Sequence, residues 1–175
     1  SNIVGNADGA SSDQLFTGAD SDYFTGANWN NVMYITNGVD QLVKYDGTEM
    51  SRSYVDLDVE GGPDNDLGNC KFIFVFRGRL MVLHTTEKGT TYRQRARISE
   101  VNLPGTWKAA SYVDAPADHT IQAAKFIDND LVVWFDRSVW KLIYTGDPTL
   151  PFEWRNIDQE RGTIAPQSVI NPSTR

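Results

Sequence analysis

The feature that most constrains this chain is a hairpin pattern that recurs at nearly constant spacing. Short runs rich in β-branched and aromatic residues begin at Val32, Leu80 and Leu131, so that 48 and 51 residues separate their starts. Each run neighbours turn-forming residues and another strand-like run. The apolar residues show no convincing helical period over the length of an ordinary helix. The sequence therefore predicts an all-β chain made of repeated units.

Three such units have the same internal order, and four antiparallel strands repeating every 40 to 50 residues is typical of propeller blades. We predict a lead-in and hairpin over residues 1–28 and a partial propeller over 29–175, with blades at 29–55, 70–112 and 119–158 and the start of another after 160. In the first blade, Asn37-Gly38 is predicted as the hairpin turn. A closed ring needs four to eight blades, so we expect a piece of a larger propeller or a contributor to a shared ring.

A short L-P-x-x-W phrase occurs twice, 47 residues apart. It comprises Leu103, Pro104 and Trp107, and later Leu150, Pro151 and Trp154. Because the phrase repeats at the blade spacing, we predict a structural role between the third and fourth strands of a blade. Proline would set the turn, and tryptophan would begin the outer strand and pack between neighbouring sheets.

The net charge, the cysteine content and the length of the apolar runs limit which partners and cross-links we expect for this chain. The net charge is −7, with residues 1–70 strongly acidic and residues 71–112 basic. This balance is not typical of a general nucleic-acid binder, so DNA is the less favoured partner. Cys70 is the single cysteine, which excludes an internal disulfide. The apolar runs are too short to span a bilayer, and we expect no membrane partner.

The best candidate for an interaction site lies within "TYRQRARIS". Arg93, Arg95 and Arg97 alternate with packing residues, so on a strand the three guanidinium groups share one face. Such a stripe could bind carboxylates or phosphates through forked hydrogen bonds. The plainer interpretation is a strand whose arginines pair with acids of an adjoining blade, and both interpretations stay open.

The acidic segment "DLDVEGGPDNDLG" is a candidate metal site. It crowds Asp56, Asp58, Glu60, Asp64 and Asp66 around glycines, and calcium prefers several oxygens from a flexible loop. The EF-hand pattern fails, however, because Leu67 stands where that pattern has glutamate. We favour a solvated loop between blades and no cofactor, with a calcium site as the alternative.

The sequence contains few signs of a catalytic site. His84 and His119 have no serine elbow or zinc-ligand spacing beside them. Residues 102–107 are a faint echo of the S-x-D-x-G-x-T-W box of sialidase-type propellers, with Pro104 at the glycine position. We therefore expect a protein that is not an enzyme.

Three stretches resemble the blades of propeller proteins in tailed-phage virions. They are "VMYITNGVDQLVKYDG", "FRGRLMVLHTTEKGTTYRQRARIS" and "RGTIAPQSVI". The likeness covers roughly residues 30–170 and is closest in style to tail hub and packaged-DNA stabilisation proteins of short-tailed phages, which are considerably longer. It implies a structural protein of the tail or neck, located in the virion after assembly in the host cytoplasm.

The resemblance also implies partners, namely other virion proteins or copies of the same chain. An alternative from another class is a carbohydrate-binding or glycan-processing propeller with a sugar site lined by tryptophans, namely Trp29, Trp107, Trp140 and Trp154. A protein-interaction propeller of cellular origin is a third interpretation that the sequence leaves open.

Overall fold

The computed structural model describes residues 4–5, 13–48, 50–52 and 67–169, and this part of the chain is all-β. A short pair, β1 (Val4–Gly5) and β2 (Asp13–Gln14), precedes three larger sheets. The strands of those sheets are β3 (Thr25–Trp29), β4 (Val32–Thr36), β5 (Val43–Tyr45), β6 (Met50–Arg52), β7 (Leu67–Phe76), β8 (Arg79–Glu87), β9 (Thr90–Glu100), β10 (Leu103–Asp114), β11 (Ile121–Ile127), β12 (Asp130–Phe135), β13 (Val139–Tyr144) and β14 (Phe152–Asp158). A 3₁₀ helix follows at Pro166–Ser168.

Each large sheet is a four-stranded antiparallel meander in which sequence neighbours are also spatial neighbours. Sheet 1 contains β3 to β6, sheet 2 contains β7 to β10, and sheet 3 contains β11 to β14. This is the strand order of a propeller blade, so the predicted all-β, propeller-like class is confirmed. Within the described residues, no helix is long and apolar enough to cross a membrane.

Tight turns close the first hairpin of every large sheet. Trp29 pairs with Val32 across Asn30-Asn31, and both asparagines have positive φ (49° and 64°). Arg77-Gly78 does the same in sheet 2, with φ of 52° and 68°. Positive φ at both central positions is the type I′ geometry, whose twist matches that of the paired strands.

The predicted first blade needs two corrections. Strands β4 and β5 do pair, but residues 37–42 join them, so Asn37-Gly38 is not a two-residue turn. Asn37 instead accepts hydrogen bonds through Oδ1 from the backbone N–H groups of Val39 and Asp40. Sheet 1 also begins at Thr25, four residues before the predicted start at Trp29, because β3 reads TGANW and has little apolar alternation.

The chain divides into two compact units. The first comprises residues 1–92 and 97–111, and the second comprises residues 93–96 and 112–175. In the first unit, sheets 1 and 2 pack face to face around one apolar cluster, whose buried members are Trp29, Tyr34, Leu42, Leu67, Cys70, Ile73, Leu80, Val82 and Trp107. Burying a large apolar side chain contributes about 1.5–3 kcal/mol, so this cluster is a main source of the unit's stability.

The second unit is built on sheet 3. Leu131, Val133 and Phe135 alternate along β12 and are fully buried, as are Leu142 and Phe152 on the next two strands. After β14 the chain runs back along the sheet, where Thr163 donates its backbone N–H to the carbonyl oxygen of Phe135 at 2.8 Å. Sheet 3 therefore has one well-buried face and a return segment beside it.

Candidate functional site on the arginine strand

Arg97 on β9 lies inside the first unit, with 2% of its surface exposed. Its guanidinium group forms a two-pronged ion pair with Glu87, with Nε to Oε1 at 2.8 Å and Nη2 to Oε2 at 2.7 Å. Its Nη1 donates to the carbonyl oxygens of Lys108 and Ala109, and Thr85 donates its hydroxyl to Glu87 at 2.6 Å. The charges of Arg97 and Glu87 are thus satisfied within the protein.

Arg95 occupies a similar but more open position in the second unit. Its Nε and Nη2 donate to the two carboxylate oxygens of Asp114, both at 2.8 Å. The guanidinium carbon also lies 3.7 Å from the ring centroid of Tyr112, which is the geometry of a cation–π contact. The side chain of Asp114 is 33% exposed, so water reaches this pair more readily than it reaches the Arg97–Glu87 pair.

The expectation of an exposed three-arginine stripe is therefore corrected. Arg93 is exposed, whereas Arg95 and Arg97 are buried at 7% and 2% exposure and bind acids of their own chain. The plainer interpretation anticipated acidic partners, but it did not identify Glu87, Asp114 or Tyr112. Sequence reasoning missed them because the cross-strand register that places them opposite the arginines cannot be read from alternation alone.

The first L-P-x-x-W phrase lies at the start of a strand, not in the loop before it. Leu103 begins β10, and Trp107 is 5% exposed within the apolar cluster of sheets 1 and 2. The indole Nε1 of Trp107 donates to the carbonyl oxygen of Pro104 at 3.0 Å. The phrase thus folds back on itself and fixes the ring between two sheets, which is a structural role.

The second phrase does span the junction before a fourth strand. Leu150 and Pro151 precede β14, and Trp154 is its third residue. Trp154 donates its indole N–H to the carbonyl oxygen of Val113 at 3.2 Å and packs edge-on against Phe135, with centroids 5.8 Å apart. Both tryptophans therefore anchor outer strands, although only the second phrase has the predicted position.

The tryptophan positions bear on the carbohydrate-binding alternative. Trp29, Trp107 and Trp140 are 8%, 5% and 7% exposed, and Trp154 is half-buried with its polar atom engaged. Stacking against a sugar requires an accessible ring face. These four rings are packed against the protein, so none presents the open platform that this alternative assumed.

One polar cluster was not anticipated from the sequence. The Nδ1 atom of His119 lies 2.9 Å from the Oγ atom of Ser138, and Trp140 donates its indole N–H to that same oxygen at 3.0 Å. Ser138 is 1% exposed, so a substrate cannot reach this hydroxyl directly. The cluster connects the β12–β13 turn to the chain before β11. The spacing of Ser138 and Trp140, two residues apart, was the only sign of it in the sequence.

The candidate calcium ligands Asp56, Asp58, Glu60, Asp64 and Asp66 lie outside the described residues. Among the residues that are described, no three His, Cys, Asp or Glu side chains are grouped as metal ligands would be. No protein family matches this chain, and no curated protein matches it either. Function must therefore be inferred from the residues themselves.

Proposed function

We propose that the chain is a non-enzymatic structural component of a phage tail or neck, a propeller-like module that makes subunit contacts in the virion. The observation that carries this proposal is the repetition of one four-stranded sheet three times, with large apolar side chains still exposed on the first and third repeats. Exposed apolar groups of this kind are typical of surfaces that bind other proteins. The blade-like sequence resemblance supplies the virion context.

The internal ion pairs support a role that depends on rigidity. Arg97 holds β9 to Glu87 on β8 and to backbone carbonyl groups on β10, so one side chain fixes three adjacent strands of sheet 2. Removing one partner of such a buried pair is strongly destabilising. A module that must keep its shape among many contacts benefits from this kind of cross-strand tie.

The partners that follow from this proposal are other virion proteins or further copies of the chain, and the function requires no cofactor. The carbohydrate-binding alternative gains no support from the tryptophans, which are packed. For that reason we propose a single function. Its location would be the virion, with assembly in the host cytoplasm.

The experiment that tests the proposal follows the chain into particles. A short epitope tag is added to the gene in the tailed phage that encodes the chain, and particles are purified on a density gradient and labelled with gold-conjugated antibody. We expect the tag to co-sediment with intact particles and the gold to decorate the tail or neck. A tag found entirely in the soluble fraction, while infectious particles form normally, would contradict a virion role.

A matched control separates true incorporation from contamination. An unrelated soluble protein of similar size with the same tag, expressed in the same infected cells, should stay at the top of the gradient. Decoration of the head shell alone, with no signal at the tail or neck, would also overturn the assignment.

A further inference from the structure

Sheet 1 shows how two sheets of this chain join. The forward face of sheet 1, which we define by Ala27, Trp29, Val32 and Tyr34, packs on sheet 2. Its partners include Ile73, Leu80 and Val82. Two hydroxyl groups add polar links at one end, since Thr36 donates to the carbonyl oxygen of Cys70 at 2.5 Å and Thr25 donates to that of Lys71 at 3.2 Å.

Sheet 3 has an equivalent face. In both sheets the first hairpin closes through a two-residue turn, and side chains alternate between faces along each strand. We define the forward face of sheet 3 by taking every second residue away from the two residues that flank the turn. On the first two strands these residues are Ala123, Lys125, Ile127, Asp130, Val132 and Trp134. The Ala123–Trp134 pair lies one step farther from its turn than Ala27–Tyr34 but has the same pairing of alanine with an aromatic residue, and Val132 precedes Trp134 by two residues as Val32 precedes Tyr34.

The return segment, residues 161–169, contacts the first strand of sheet 3, as β7 contacts the first strand of sheet 1. Strand β7 contacts β3, and the 3₁₀ helix of the return segment contacts β11. Gly162 approaches the backbone of Phe135 and Asp136 so closely that a Cβ atom there would overlap the Phe135 carbonyl oxygen. The return segment therefore starts to cover sheet 3 at its first strand.

Coverage of that face is incomplete in the described part of the chain. Trp134 on β12 and Ile143 on β13 stay partly exposed, and Ile164 in the return segment is 85% exposed. By contrast, Tyr34, the aromatic residue that pairs with an alanine on the forward face of sheet 1, is 6% exposed beneath sheet 2. Ala123 and Val132 on this face are buried, at 3% and 7% exposure, but within the described residues no second sheet covers Trp134 and Ile143.

The opposite, rear face of sheet 1 is also only half covered. Ile35 and Val43 pack against Leu15 and Phe16. On the same face, Met33 is 40% exposed and its cross-strand partner Tyr45 is 39% exposed, and Phe24, stacked edge-on against Phe16, is 42% exposed. The Met33–Tyr45 pair is therefore an apolar patch open to solvent, and Phe24 is exposed beside Phe16.

We infer that the forward face of sheet 3 binds the rear face of sheet 1 in a second copy of this chain. The occupant is a second copy because the chain already uses this geometry internally, where the forward face of one sheet meets the rear face of the next along the sequence. The two patches lie on different sheets, so the contact is head-to-tail and can extend to a ring or an open array.

The charges on the two faces are compatible with this contact. Four charged groups of the forward face of sheet 3 form two ion pairs, with Lys141 Nζ 3.1 Å from Asp130 and Arg155 Nε 2.7 Å from Glu153, and Lys125 adds an exposed positive charge. Met33 and Tyr45 on the rear face of sheet 1 carry no charge at neutral pH. The two ion pairs are neutral overall, so they place no net charge against Met33 and Tyr45, and like charges directly opposite one another would oppose association.

Two single substitutions and their mixture test the inference with purified full-length chain. Trp134→Glu places a charge on the forward face of sheet 3, and Met33→Glu places one on the rear face of sheet 1. Native mass is measured by light scattering and native mass spectrometry over a concentration series. We expect the unsubstituted chain to assemble as concentration rises and each variant alone to assemble roughly tenfold more weakly or worse.

The mixture of the two variants is the decisive measurement. Each variant retains one intact patch, so equimolar Trp134→Glu and Met33→Glu chains should form a one-to-one dimer and nothing larger. Failure of the mixture to pair, or normal assembly of either variant alone, would overturn the head-to-tail contact. An unsubstituted chain that stays monomeric at every concentration would overturn it as well.

Controls keep these outcomes interpretable. Val101→Glu introduces the same charge at an exposed apolar residue in a turn and should assemble like the unsubstituted chain. Circular dichroism and urea midpoints report whether each variant is folded, and Ile143→Glu replaces Trp134→Glu if the latter unfolds.

The inference goes beyond the proposed function, because self-association of purified chain and incorporation into particles are measured independently and can fail separately.

Discussion

Sheet 1 and sheet 3 each pair an alanine with an aromatic residue on the forward face, and they bury that aromatic residue differently. Tyr34 of sheet 1, which pairs with Ala27, is 6% exposed beneath sheet 2, whereas Trp134 of sheet 3, which pairs with Ala123, stays partly exposed. The local pattern of small, β-branched and aromatic residues is the same in both. Burial is therefore decided by what the rest of the chain supplies, and an incompletely covered repeat marks a surface available to another sheet.

The segments that cover sheet 1 and sheet 3 also differ in length and in the hydrogen bonds that hold them. Sheet 1 receives β7, a ten-residue strand, through side-chain hydrogen bonds from Thr36 and Thr25. In the described part of the chain, sheet 3 receives the return segment, whose Thr163 donates a backbone hydrogen bond to Phe135 and whose Gly162 lies close to the backbone of Phe135 and Asp136. A broad sheet thus covers the first face, and a narrow segment covers part of the other.

The largest change in the free energy of unfolding is expected when a buried ion pair is broken. The Arg97–Glu87 pair of sheet 2 is buried, and the Arg155–Glu153 pair of sheet 3 is exposed. Arg97→Ala leaves Glu87 buried without its partner and should lower the free energy of unfolding by about 3–5 kcal/mol. Arg155→Ala on sheet 3 removes a pair whose side chains are 60% and 47% exposed, so its effect should be about 0–1 kcal/mol. Urea unfolding monitored by tryptophan fluorescence measures both, and equal losses would mean that Arg97 is not held as described.

The matched aromatic residues give the next largest contrast. Tyr34→Ala opens a cavity between sheets 1 and 2 and should cost about 2–4 kcal/mol. Trp134→Ala should cost clearly less in dilute solution, because its ring already contacts water. Thermal and urea unfolding at low protein concentration provide the comparison. A loss for Trp134→Ala as large as that for Tyr34→Ala would show that the forward face of sheet 3 is covered within a single chain.

Gly162→Ala probes the return segment beside sheet 3. The added methyl group meets the rigid backbone of Phe135 and Asp136, so the segment must shift, at a cost of about 1–3 kcal/mol. Hydrogen exchange at the Thr163 amide should become faster. Gly105→Ala is the control, because a Cβ atom at Gly105 meets nothing within 4 Å. Unchanged exchange at Thr163 would mean that the segment does not lie against sheet 3.

The smallest effect is a pH dependence that belongs to the covered region. Burial raises the pKa of the Cys70 thiol from 9.0 to about 12, and its hydrogen bond with Thr36 opposes this rise. The folded chain thus retains a proton that the unfolded chain loses, so this contribution is complete below pH 9 and declines between pH 9 and 12. The unfolding equilibrium should shift by roughly tenfold per pH unit there.

Cys70→Ala isolates that contribution from the titration of other groups. The difference in stability between the original chain and Cys70→Ala should be constant below pH 9 and should shrink as pH rises above it. Urea unfolding at several pH values between 7 and 11 measures this difference. A difference that stays flat over the whole range would contradict the buried, neutral thiol.

The sequence predicted the parts of the fold that depend on local chemistry. The apolar run that begins at Leu80 and the turn-forming residues before it placed the first hairpin of sheet 2 correctly, because strand pairing across a tight turn is set by neighbouring residues. Strand β3 was missed because Gly26 and Asn28 interrupt its apolar pattern. The hairpin signal at Asn37-Gly38 was overridden by a wider loop.

The candidate site was harder to predict than the fold. Alternation predicted an arginine stripe at Arg95 and Arg97, but the burial of both side chains depended on Asp114 and Glu87, which come from other strands. Cross-strand register and tertiary coverage are long-range properties. For the same reason, the sequence identified repeats but did not show which repeat has an open face.

Thiol labelling tests most directly whether one face is covered and its counterpart is open. The Ile143→Cys variant places a thiol on the forward face of sheet 3, while Cys70, 0% exposed, reports the covered face of sheet 2. A maleimide reagent and mass spectrometry follow both sites over a concentration series. We expect Cys70 to stay unreactive throughout, and the introduced thiol to react readily in dilute solution and become protected as concentration rises. Protection of the introduced thiol at every concentration, or equal reactivity at every concentration, would contradict an open face that binds a second copy.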